Sequence, residues 1–231
     1  MERISANQKK FGFTCEGKKI RFCLPQLYHN GISDFIQRRI YFDGTFFDYE
    51  ALRYIKQNYL KEGAVILDIG SNIGNHVIFW LKICNAKTVY CFEPIKDIYD
   101  VLCKNIKVNH LENDTKLFNC AVGQSAGFGE IKSFNAKNTG STEIKESEAG
   151  DIKIISIDSL DFEDNVDFIK IDVEGFEYDV LKGCVETLRR HKPIVYIESR
   201  YNFSLIDSFL TEMSYTLDYQ IDSENFIYLC K

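Results

Sequence analysis

The stretch that decides the fold is Val65-Ile66-Leu67-Asp68-Ile69-Gly70-Ser71-Asn72-Ile73-Gly74-Asn75-His76. It opens with the apolar run Val65–Leu67, which is typical of a strand buried on both faces of a parallel sheet. Gly70 and Gly74 permit a tight turn and a close approach of a ligand to the backbone. Asn72 is the predicted N-cap of a helix over Ile73–Cys84. The sequence therefore predicts a strand–turn–helix unit whose helix N-terminus faces a small molecule.

The turn differs from the dinucleotide fingerprint G-x-G-x-x-G. Asn72 stands at the second glycine position and Asn75 at the third, while Asp68 places a carboxylate beside the turn. A carboxylate repels a phosphate but suits an ammonium group, and S-adenosylmethionine carries an ammonium and a sulfonium without a phosphate. The spacing D-x-G-x-N-x-G also resembles the first motif of the S-adenosylmethionine-dependent methyltransferases. The alternative is a structural turn without a ligand.

Length and composition narrow the class of protein. A chain of 231 residues with 45% apolar residues fits one large domain or two small ones. The net charge of -6 and the absence of a long basic block argue against a nucleic-acid partner. The 8 cysteines show neither C-x-x-C pairs nor zinc spacing, and several lie in apolar segments, so we expect a reducing, cytoplasmic compartment. Neither a signal peptide at Met1–Ser5 nor a membrane span of about 20 apolar residues is predicted.

Residues 1–47 form a predicted N-terminal extension. Phe11–Thr14 and Lys19–Cys23 are separated by a Glu-Gly pair and predict a hairpin. The aromatic run Ile40–Phe47 is interpreted as packing against the sheet rather than as a binding segment. Asp48–Leu60 has apolar residues at helical spacing, which predicts an amphipathic helix leading into the first strand.

Two further strands are predicted to contribute residues to the cofactor site. Thr88–Pro94 is a buried strand ending in Glu93, 25 positions after Asp68 (68 to 93). An acid at the end of the second strand binds the hydroxyls of an adenosine ribose, and Pro94 ends the strand. The third strand is Leu117–Gly123, whose small residues leave room for an adenine ring over the backbone.

A polar segment interrupts the pattern after the third strand. Phe128–Phe134 is a candidate strand, whereas Asn135–Gly150 is rich in Asn, Ser, Thr, Glu and Gly. A long polar stretch inside a compact domain is predicted to be either a lid or a disordered loop.

Acidic residues accumulate at the end of the fourth strand, Val166–Val173. They are Asp172, Glu174 and Glu177, and they share the carboxyl edge of the sheet with Asp68 and Glu93. A single helix is predicted to follow them, with Val180, Leu181, Val185 and Leu188 on one face.

The end of the chain continues the sheet. The fifth strand, Pro193–Glu198, again ends in an acid, and a helix over Ser204–Ser214 follows. Tyr215–Tyr219 and Phe226–Cys230 lack an intervening helix, so they are predicted to form an antiparallel pair. We interpret 1–231 as a single domain, with 1–47 as extension and 48–231 as core.

The motifs together resemble the FkbM-type methyltransferases. The segments that carry the resemblance are Leu67–His76, Phe92–Pro94, Ala121–Gly123 and Ile169–Glu177. The resemblance implies an α/β, Rossmann-like class I fold with a seven-stranded, mostly parallel sheet whose last strand is antiparallel. It implies S-adenosylmethionine as donor and a hydroxyl acceptor on a sugar, glycan or related natural product. Ser71 departs from the more familiar alanine, and the two ends of the chain lie outside these motifs.

Methyl transfer to oxygen is an in-line displacement that needs alignment and a base for the hydroxyl proton. Asp172, Glu174 and His76 are the catalytic candidates; His76 lies in the first helical turn, where the positive dipole end keeps an imidazole neutral. The predicted acceptor contacts are Glu177 and Glu198. The predicted cofactor contacts are Asp68, Gly70, Ser71, Asn72, Gly74, Glu93, Pro94, Ala121, Val122 and Asp172.

Some alternatives stay open from the sequence. The displacement needs no metal and we predict none, although clustered acids also suit a divalent ion. One rival function is a nicotinamide-dependent sugar oxidoreductase, which the broken glycine pattern disfavours. The other is a non-catalytic interaction domain on a methyltransferase-like fold.

Overall fold

A computed structural model describes residues 10–27 and 34–231, so parts of the predicted extension (1–9 and 28–33) lie outside it. The strands are β1 Lys10–Cys15, β2 Lys18–Cys23, β3 Val65–Ile69, β4 Thr88–Phe92, β5 Thr115–Phe118, β6 Ala121–Val122, β7 Gly127–Ser133, β8 Glu143–Glu146, β9 Ile152–Ile155, β10 Phe168–Ile171, β11 Ile194–Glu198, β12 Tyr215–Gln220 and β13 Asn225–Cys230. The helices are α1 Phe35–Asp43, α2 Tyr49–Asn58, α3 Asn75–Lys82, α4 Lys96–Val108, α5 Glu177–Lys182, α6 Val185–His191 and α7 Phe203–Glu212.

The central sheet has seven strands in the order β12-β13-β11-β10-β3-β4-β5. Strand β13 is antiparallel to both β11 and β12, while β3, β4, β5, β10 and β11 pair in parallel. Every residue of β3 and β10 is buried, as expected for strands covered on both faces. The predicted class I sheet, including its antiparallel last strand, is confirmed.

The N-terminal extension contains the predicted hairpin, β1–β2, and one helix that the pattern did not reveal, α1. Phe46, in the aromatic run, is buried and packs edge-on against Phe79 of α3 at 5.2 Å. The run therefore packs in part, through Phe46, and it packs against the helix layer rather than against the sheet as predicted. Its first part, Ile40–Asp43, is helical, and Phe42 in it is exposed. Burial of these rings fixes the extension against the core.

The first helix begins later than predicted. Gly74, with φ of 86°, is the N-cap of α3, and the helix starts at Asn75 rather than at Ile73. Asn72 is also left-handed, with φ of 49°, and its side-chain oxygen accepts a hydrogen bond from the Ile73 amide. The prediction of Asn72 as N-cap is wrong because the turn is two residues longer than the pattern implied.

A second sheet replaces the predicted loop. Strands β6, β9, β7 and β8 form it in that order, and β8 pairs antiparallel with β7. A 3-10 turn at Thr139–Ser141 precedes β8. Asn135–Gly150 is therefore mostly structured, and the predicted third strand divides into β5 in the main sheet and β6 in the second. Partly buried Ile131 and Ile144 face each other across β7 and β8, a contact that the local polarity conceals.

The helix predicted after the fourth strand is two helices. Gly183 separates α5 from α6, and a Cβ on it would lie 2.1 Å from the carbonyl oxygen of Gly123. This close approach ties the helix pair to the exit of β6. No helix in the described ranges, 10–27 and 34–231, has the length and apolar character that crossing a bilayer requires.

Candidate functional site

A cavity of about 290 Å³ opens at the carboxyl edge of the central sheet. The ends of β3, β4, β10 and β11 line its floor, as expected for ligand sites in open α/β sheets. The cofactor candidates that line it are Gly70, Ser71, Asn72, Glu93, Pro94, Ala121, Val122 and Asp172. The catalytic candidates His76 and Glu174 and the acceptor candidate Glu198 line the same cavity.

The glycine turn is pressed against β10. Gly70 has a φ of 84°, and a Cβ on it would lie 1.8 Å from the carbonyl oxygen of Asp172. The amides of Gly70 and Ser71 both donate to the Phe92 carbonyl at 3.0 Å, which ties the turn to β4 as well. Only glycine fits at position 70, because both the backbone conformation and the space exclude a side chain.

Glu93 is buried at 5% exposure and holds the turn through its carboxylate. Its Oε2 accepts from the Asn72 amide at 3.0 Å and its Oε1 from the Ile95 amide at 2.8 Å. Burial raises its pKa to about 7, against the lowering effect of these two hydrogen bonds. Each oxygen keeps a free lone pair, so the carboxylate can accept a pair of ribose hydroxyls.

Asp68 lies behind the cavity wall and not in it. Its carboxylate is fully buried, accepts from Trp80 Nε1 at 2.8 Å and lies 3.9 Å from Lys170 Nζ. Burial raises the pKa of Asp68, and the charge of Lys170 opposes that rise. Asp68 was predicted to contact the ammonium of the donor, but in the structure the cation nearest its carboxylate is Lys170.

Lys170 is a site residue that the sequence reasoning missed. It is 2% exposed, lines the cavity, and its Nζ donates to the Gly70 carbonyl at 2.8 Å and pairs with Asp172 at 3.1 Å. Burial lowers its pKa, but Asp172 and Asp68 outweigh that effect and raise it, so the ammonium is charged. The sequence did contain a signal for Lys170, because it lies within the otherwise apolar strand Phe168–Ile171. A charged residue in a buried strand is expected to have a partner of opposite charge.

Two further predicted contacts lie outside the cavity lining. Gly74 is the helix N-cap and does not line the cavity; a Cβ on it would lie 2.7 Å from Leu102 Cδ1, so glycine permits close packing against α4. Glu177 is 4% exposed, and its Oε1 accepts from the Gly175 amide at 2.6 Å. The Glu177 carboxylate stabilises the turn after β10. Glu177, which was predicted to contact the acceptor, does not line the main cavity.

The acids Asp172, Glu174 and Glu198 are brought together, each with a carboxylate oxygen within 4.8 Å of the others. Burial and the nearby Asp172 raise the pKa of Glu174 to about 7 and that of Glu198 to about 8. Arg200 supplies the counter-charge: its Nη1 lies 3.2 Å from Glu174 and its Nη2 lies 3.2 Å from Glu198. Arg200 lies two positions after Glu198, the residue that ends β11 and that was predicted as an acid at the edge of the sheet.

His76 faces the same cavity from α3. Its Nε2 atom is buried and has no hydrogen-bond partner within the described part of the chain. Burial, and then the charge of Lys170, lower the pKa of His76 well below its ordinary value, so the imidazole is neutral at pH 7. Buried polar atoms are normally hydrogen-bonded, so an unpartnered nitrogen in a residue that borders the cavity is a notable feature of this site.

A roof formed by α1 and the 3-10 turn covers the cavity. Asp34, the N-cap of α1, is 1% exposed; its Oδ2 accepts from the amide and the hydroxyl of Thr139, each at 2.9 Å. Phe35, Ile36 and Thr142 line the cavity from this roof. The sequence did not predict these residues, because a contact between positions 34 and 139 leaves no local pattern.

The sheet order and the cavity at its carboxyl edge define a class I methyltransferase fold. A family model described as "Methyltransferase FkbM domain" matches residues 68–217. The chain therefore belongs to the FkbM methyltransferase family, which confirms the predicted family and fold.

Two curated relatives and one solved structure show the degree of similarity. "Hexuronic acid methyltransferase AglP" of Haloferax volcanii is 33% identical over 136 residues, 56% of this chain and 53% of that protein. "Methyltransferase sdnD" of Sordaria araneosa is 25% identical over 162 residues, 55% of this chain and 62% of that protein. A crystal structure of methyltransferase FkbM from Methylobacillus flagellatus KT has a TM-score of 0.59 at 18% identity, covering 82% of this chain and 49% of that one. The matched regions thus span 49–62% of the length of those proteins, less than two thirds of each.

Family membership supports S-adenosylmethionine as the cofactor of this class of protein. The residues present fit it. The turn at Gly70 leaves no room for a side chain, Glu93 offers a carboxylate to hydroxyls, and Ala121 and Val122 are small enough for a ring to lie against them.

Proposed function

We propose that the chain transfers a methyl group from S-adenosylmethionine to a hydroxyl oxygen of a sugar or glycan. The observation that carries the proposal is that one cavity joins a donor edge, Gly70–Asn72 with Glu93, to an acidic edge, Asp172 and Glu174. His76 lines the same cavity. Family membership and the sugar-related name of the Haloferax relative support the same reaction class.

When bound, S-adenosylmethionine supplies a methyl group on a positively charged sulfur. The acceptor oxygen forms a bond to the methyl carbon, the carbon–sulfur bond breaks, and its electron pair stays on sulfur. Asp172, at the end of β10, contributes negative charge beside the donor turn, and Lys170 fixes its position at 3.1 Å. A fixed carboxylate near a cationic sulfur favours the bound donor and limits its orientation.

The hydroxyl proton needs an acceptor in the transition state. Glu174 has a pKa raised to about 7, which places it close to the optimum for general base catalysis at neutral pH. His76 is neutral, and its Nε2 has no hydrogen-bond partner among residues 10–27 and 34–231. We assign Glu174 as base and His76 as the group that orients the acceptor hydroxyl.

We also propose a reducing compartment, because all eight cysteines are free and, apart from Cys103 and Cys230, buried. The reaction is tested by mass spectrometry with labelled S-adenosylmethionine and a library of glycosides. A methyl ether on a hydroxyl is expected. Binding of NADH instead of S-adenosylmethionine would point to the oxidoreductase, and donor binding without transfer to any acceptor would point to a non-catalytic domain.

A further inference from the structure

Arg200 contacts three carboxylates that come from three separate places along the sheet edge. Its Nη1 atom lies 3.2 Å from Glu174, its Nη2 atom 3.2 Å from Glu198 and its Nε atom 3.0 Å from Glu224. Glu174 lies in the turn after β10, Glu198 ends β11, and Glu224 immediately precedes β13. All three nitrogens of the guanidinium group are therefore paired, and the planar group is held in a defined orientation.

The backbone beside Arg200 is held as well. The amide of Ser199 donates to the carbonyl oxygen of Glu224 at 2.7 Å, which ties the segment after β11 to the turn before β13. Asp222 stabilises that turn, because its Oδ1 accepts from the amides of Glu224 at 2.8 Å and of Asn225 at 3.0 Å. Arg200 therefore lines the cavity with both its backbone and its side chain anchored.

The backbone of Glu174 needs support from its surroundings. Its φ of 51° lies in the left-handed region, which residues other than glycine disfavour, and its side chain is only 13% exposed. Such a conformation persists where surrounding contacts determine it. Within residues 10–27 and 34–231, Arg200 is the one cation that forms an ion pair with the Glu174 carboxylate.

Four acids act on Glu174 from neighbouring elements. They are Asp172 at the end of β10, Glu177 on α5, Glu143 on β8 and Glu198 on β11. Burial and then Asp172 raise the pKa of Glu174 to about 7, and the charge of Arg200 opposes that rise. Lys170, the other cation that lines the described cavity, is paired with Asp172 at 3.1 Å. Without the guanidinium group, the pKa of Glu174 would rise further and its carboxyl group would be protonated at neutral pH.

We infer that Arg200 is a positioning residue for the proposed base: it fixes the Glu174 carboxylate at the cavity and keeps it ionised, so that Glu174 can accept the proton of the acceptor hydroxyl. The inference rests on the proposed methyl transfer. Arg200 acts through Glu174 and takes no proton itself, because a guanidinium group stays protonated in proteins. Glu198 and Glu224 compete for the same positive charge, so the ionisation of Glu174 depends on how much of that charge they leave.

The first test measures the ionisation of Glu174 directly. Carbon-13 NMR of the side-chain carboxyl groups follows the titration without any acceptor, and the signal of Glu174 is identified by its loss in Glu174→Gln. In Arg200→Gln, we expect the midpoint of the Glu174 titration to rise by about one pH unit or more. Arg200→Lys, which keeps a positive charge, should give a smaller rise. An unchanged midpoint in Arg200→Gln overturns the inference and leaves the proposed methyl transfer standing.

A second variant should shift the same midpoint in the opposite direction. The Glu224 side chain is 42% exposed, so Glu224→Gln is expected to fold, and it leaves more of the Arg200 charge to Glu174. The midpoint of Glu174 should therefore fall by about 0.3 pH unit or more. The matched control is Glu186→Gln, which removes a carboxylate paired with Arg189 on α6, outside the cavity lining, and should leave the midpoint unchanged. A midpoint that Glu224→Gln raises or leaves unchanged contradicts the inference.

The pH dependence of turnover connects the ion pair to the reaction. With labelled S-adenosylmethionine and the glycoside library, Arg200→Gln should lose about fivefold or more of the parental turnover at pH 7 and regain most of it as the pH rises to about 9. A loss of the same size at every pH would indicate a purely structural role and overturns the inference. Failure of the parent to methylate any glycoside overturns the proposed function, and the inference with it.

Discussion

The Nζ atom of Lys170 donates a 2.8 Å hydrogen bond to the carbonyl oxygen of Gly70 and so joins β10 to the glycine turn. The same ammonium lies 3.1 Å from Asp172 and 3.9 Å from Asp68. A buried cation therefore neutralises the acids on either side of the donor turn. The position of the turn depends on a charge located in the neighbouring strand.

Replacing Lys170 by methionine should destabilise the protein and weaken donor binding. The change leaves Asp68 buried beside a neutral side chain, and breaking a buried ion pair costs about 3–5 kcal/mol of the free energy of unfolding. Urea denaturation measures the loss. The double variant Lys170→Met with Asp68→Asn should recover part of it, because the uncompensated charge is gone. Lys153→Met, at an exposed position of β9, is the control; equal losses in both lysine variants would refute the pairing.

Gly70→Ala should cost far more stability than Gly63→Ala. Both glycines have positive φ, 84° and 77°, so each alanine carries the left-handed penalty of about 1–2 kcal/mol. Only at Gly70 does the added Cβ meet a backbone oxygen, at 1.8 Å, whereas nothing lies within 4 Å at Gly63. We expect a difference of at least about 2 kcal/mol in the free energy of unfolding, with donor affinity lost in the folded fraction of Gly70→Ala. Similar losses at both sites would show that close packing at Gly70 is unimportant.

Glu93→Gln should weaken donor binding by about 2–3 kcal/mol, since a charge-assisted acceptor of the ribose hydroxyls is lost. Because burial raises the pKa of Glu93 from 4.5 to about 7, the folded state binds this proton more tightly than the unfolded state. Its contribution to stability is complete below the unfolded pKa and is lost as pH rises through about 7. Donor affinity, which needs the carboxylate, should rise over the same interval. Calorimetry at several pH values checks this, and Glu112→Gln, at an exposed position, is the control.

Variants of the acidic edge should separate catalysis from donor binding. Glu174→Gln and His76→Asn are expected to lower turnover by ~10²-fold or more with little change in donor affinity, since a general base contributes about 10²–10⁴-fold. Asp172→Asn should lose both, because Asp172 lies beside the donor turn and pairs with Lys170. In the parent, turnover should increase with pH up to about 7 as Glu174 loses its proton. Near-parental turnover in both Glu174→Gln and His76→Asn would leave alignment as the source of catalysis.

Thr139→Val should loosen the roof over the cavity. The hydroxyl donates to the buried carboxylate of Asp34 at 2.9 Å, and losing that hydrogen bond to a charged group corresponds to about 1.5–3 kcal/mol. Amides of the turn Thr139–Ser141 should therefore exchange hydrogen at least about tenfold faster by mass spectrometry. Thr211→Val, at an exposed position of α7, should leave that exchange unaltered. Unchanged exchange in Thr139→Val would mean that the backbone contacts alone hold the roof.

The strands of the central sheet could be predicted from the sequence because their signal is local. Val65–Leu67, Thr88–Phe92 and Phe168–Ile171 are apolar runs followed by an acid or a glycine turn, and burial on both faces requires that pattern. The antiparallel pair at the end of the chain could be predicted because no helix lies between its two strands. Glu93 could be identified because its spacing from the glycine turn is set by one βα unit.

Other features depend on contacts between distant residues. Strand β8 lies in a polar segment and exists because β7 offers it a partner, while the helix break at Gly183 reflects a close approach to Gly123. Asp68 and Lys170 are 102 positions apart (68 to 170) and meet only because β3 and β10 are neighbours in register. Because this pairing is not visible in the sequence, Asp68 was predicted to contact the cofactor.

The sequence by itself determined where the strands of the central sheet lie along the chain, the glycine turn and the acids that follow the strands, because each is encoded within a few consecutive residues. The tertiary structure decided which of those acids face the cavity and which are neutralised. Asp68 is buried against Trp80 and Lys170. Glu177 accepts a hydrogen bond within the turn after β10. Glu174 and Glu198 line the cavity and pair with Arg200. The charge that a ligand meets depends on pairing across strands, and pairing is a property of the packed sheet.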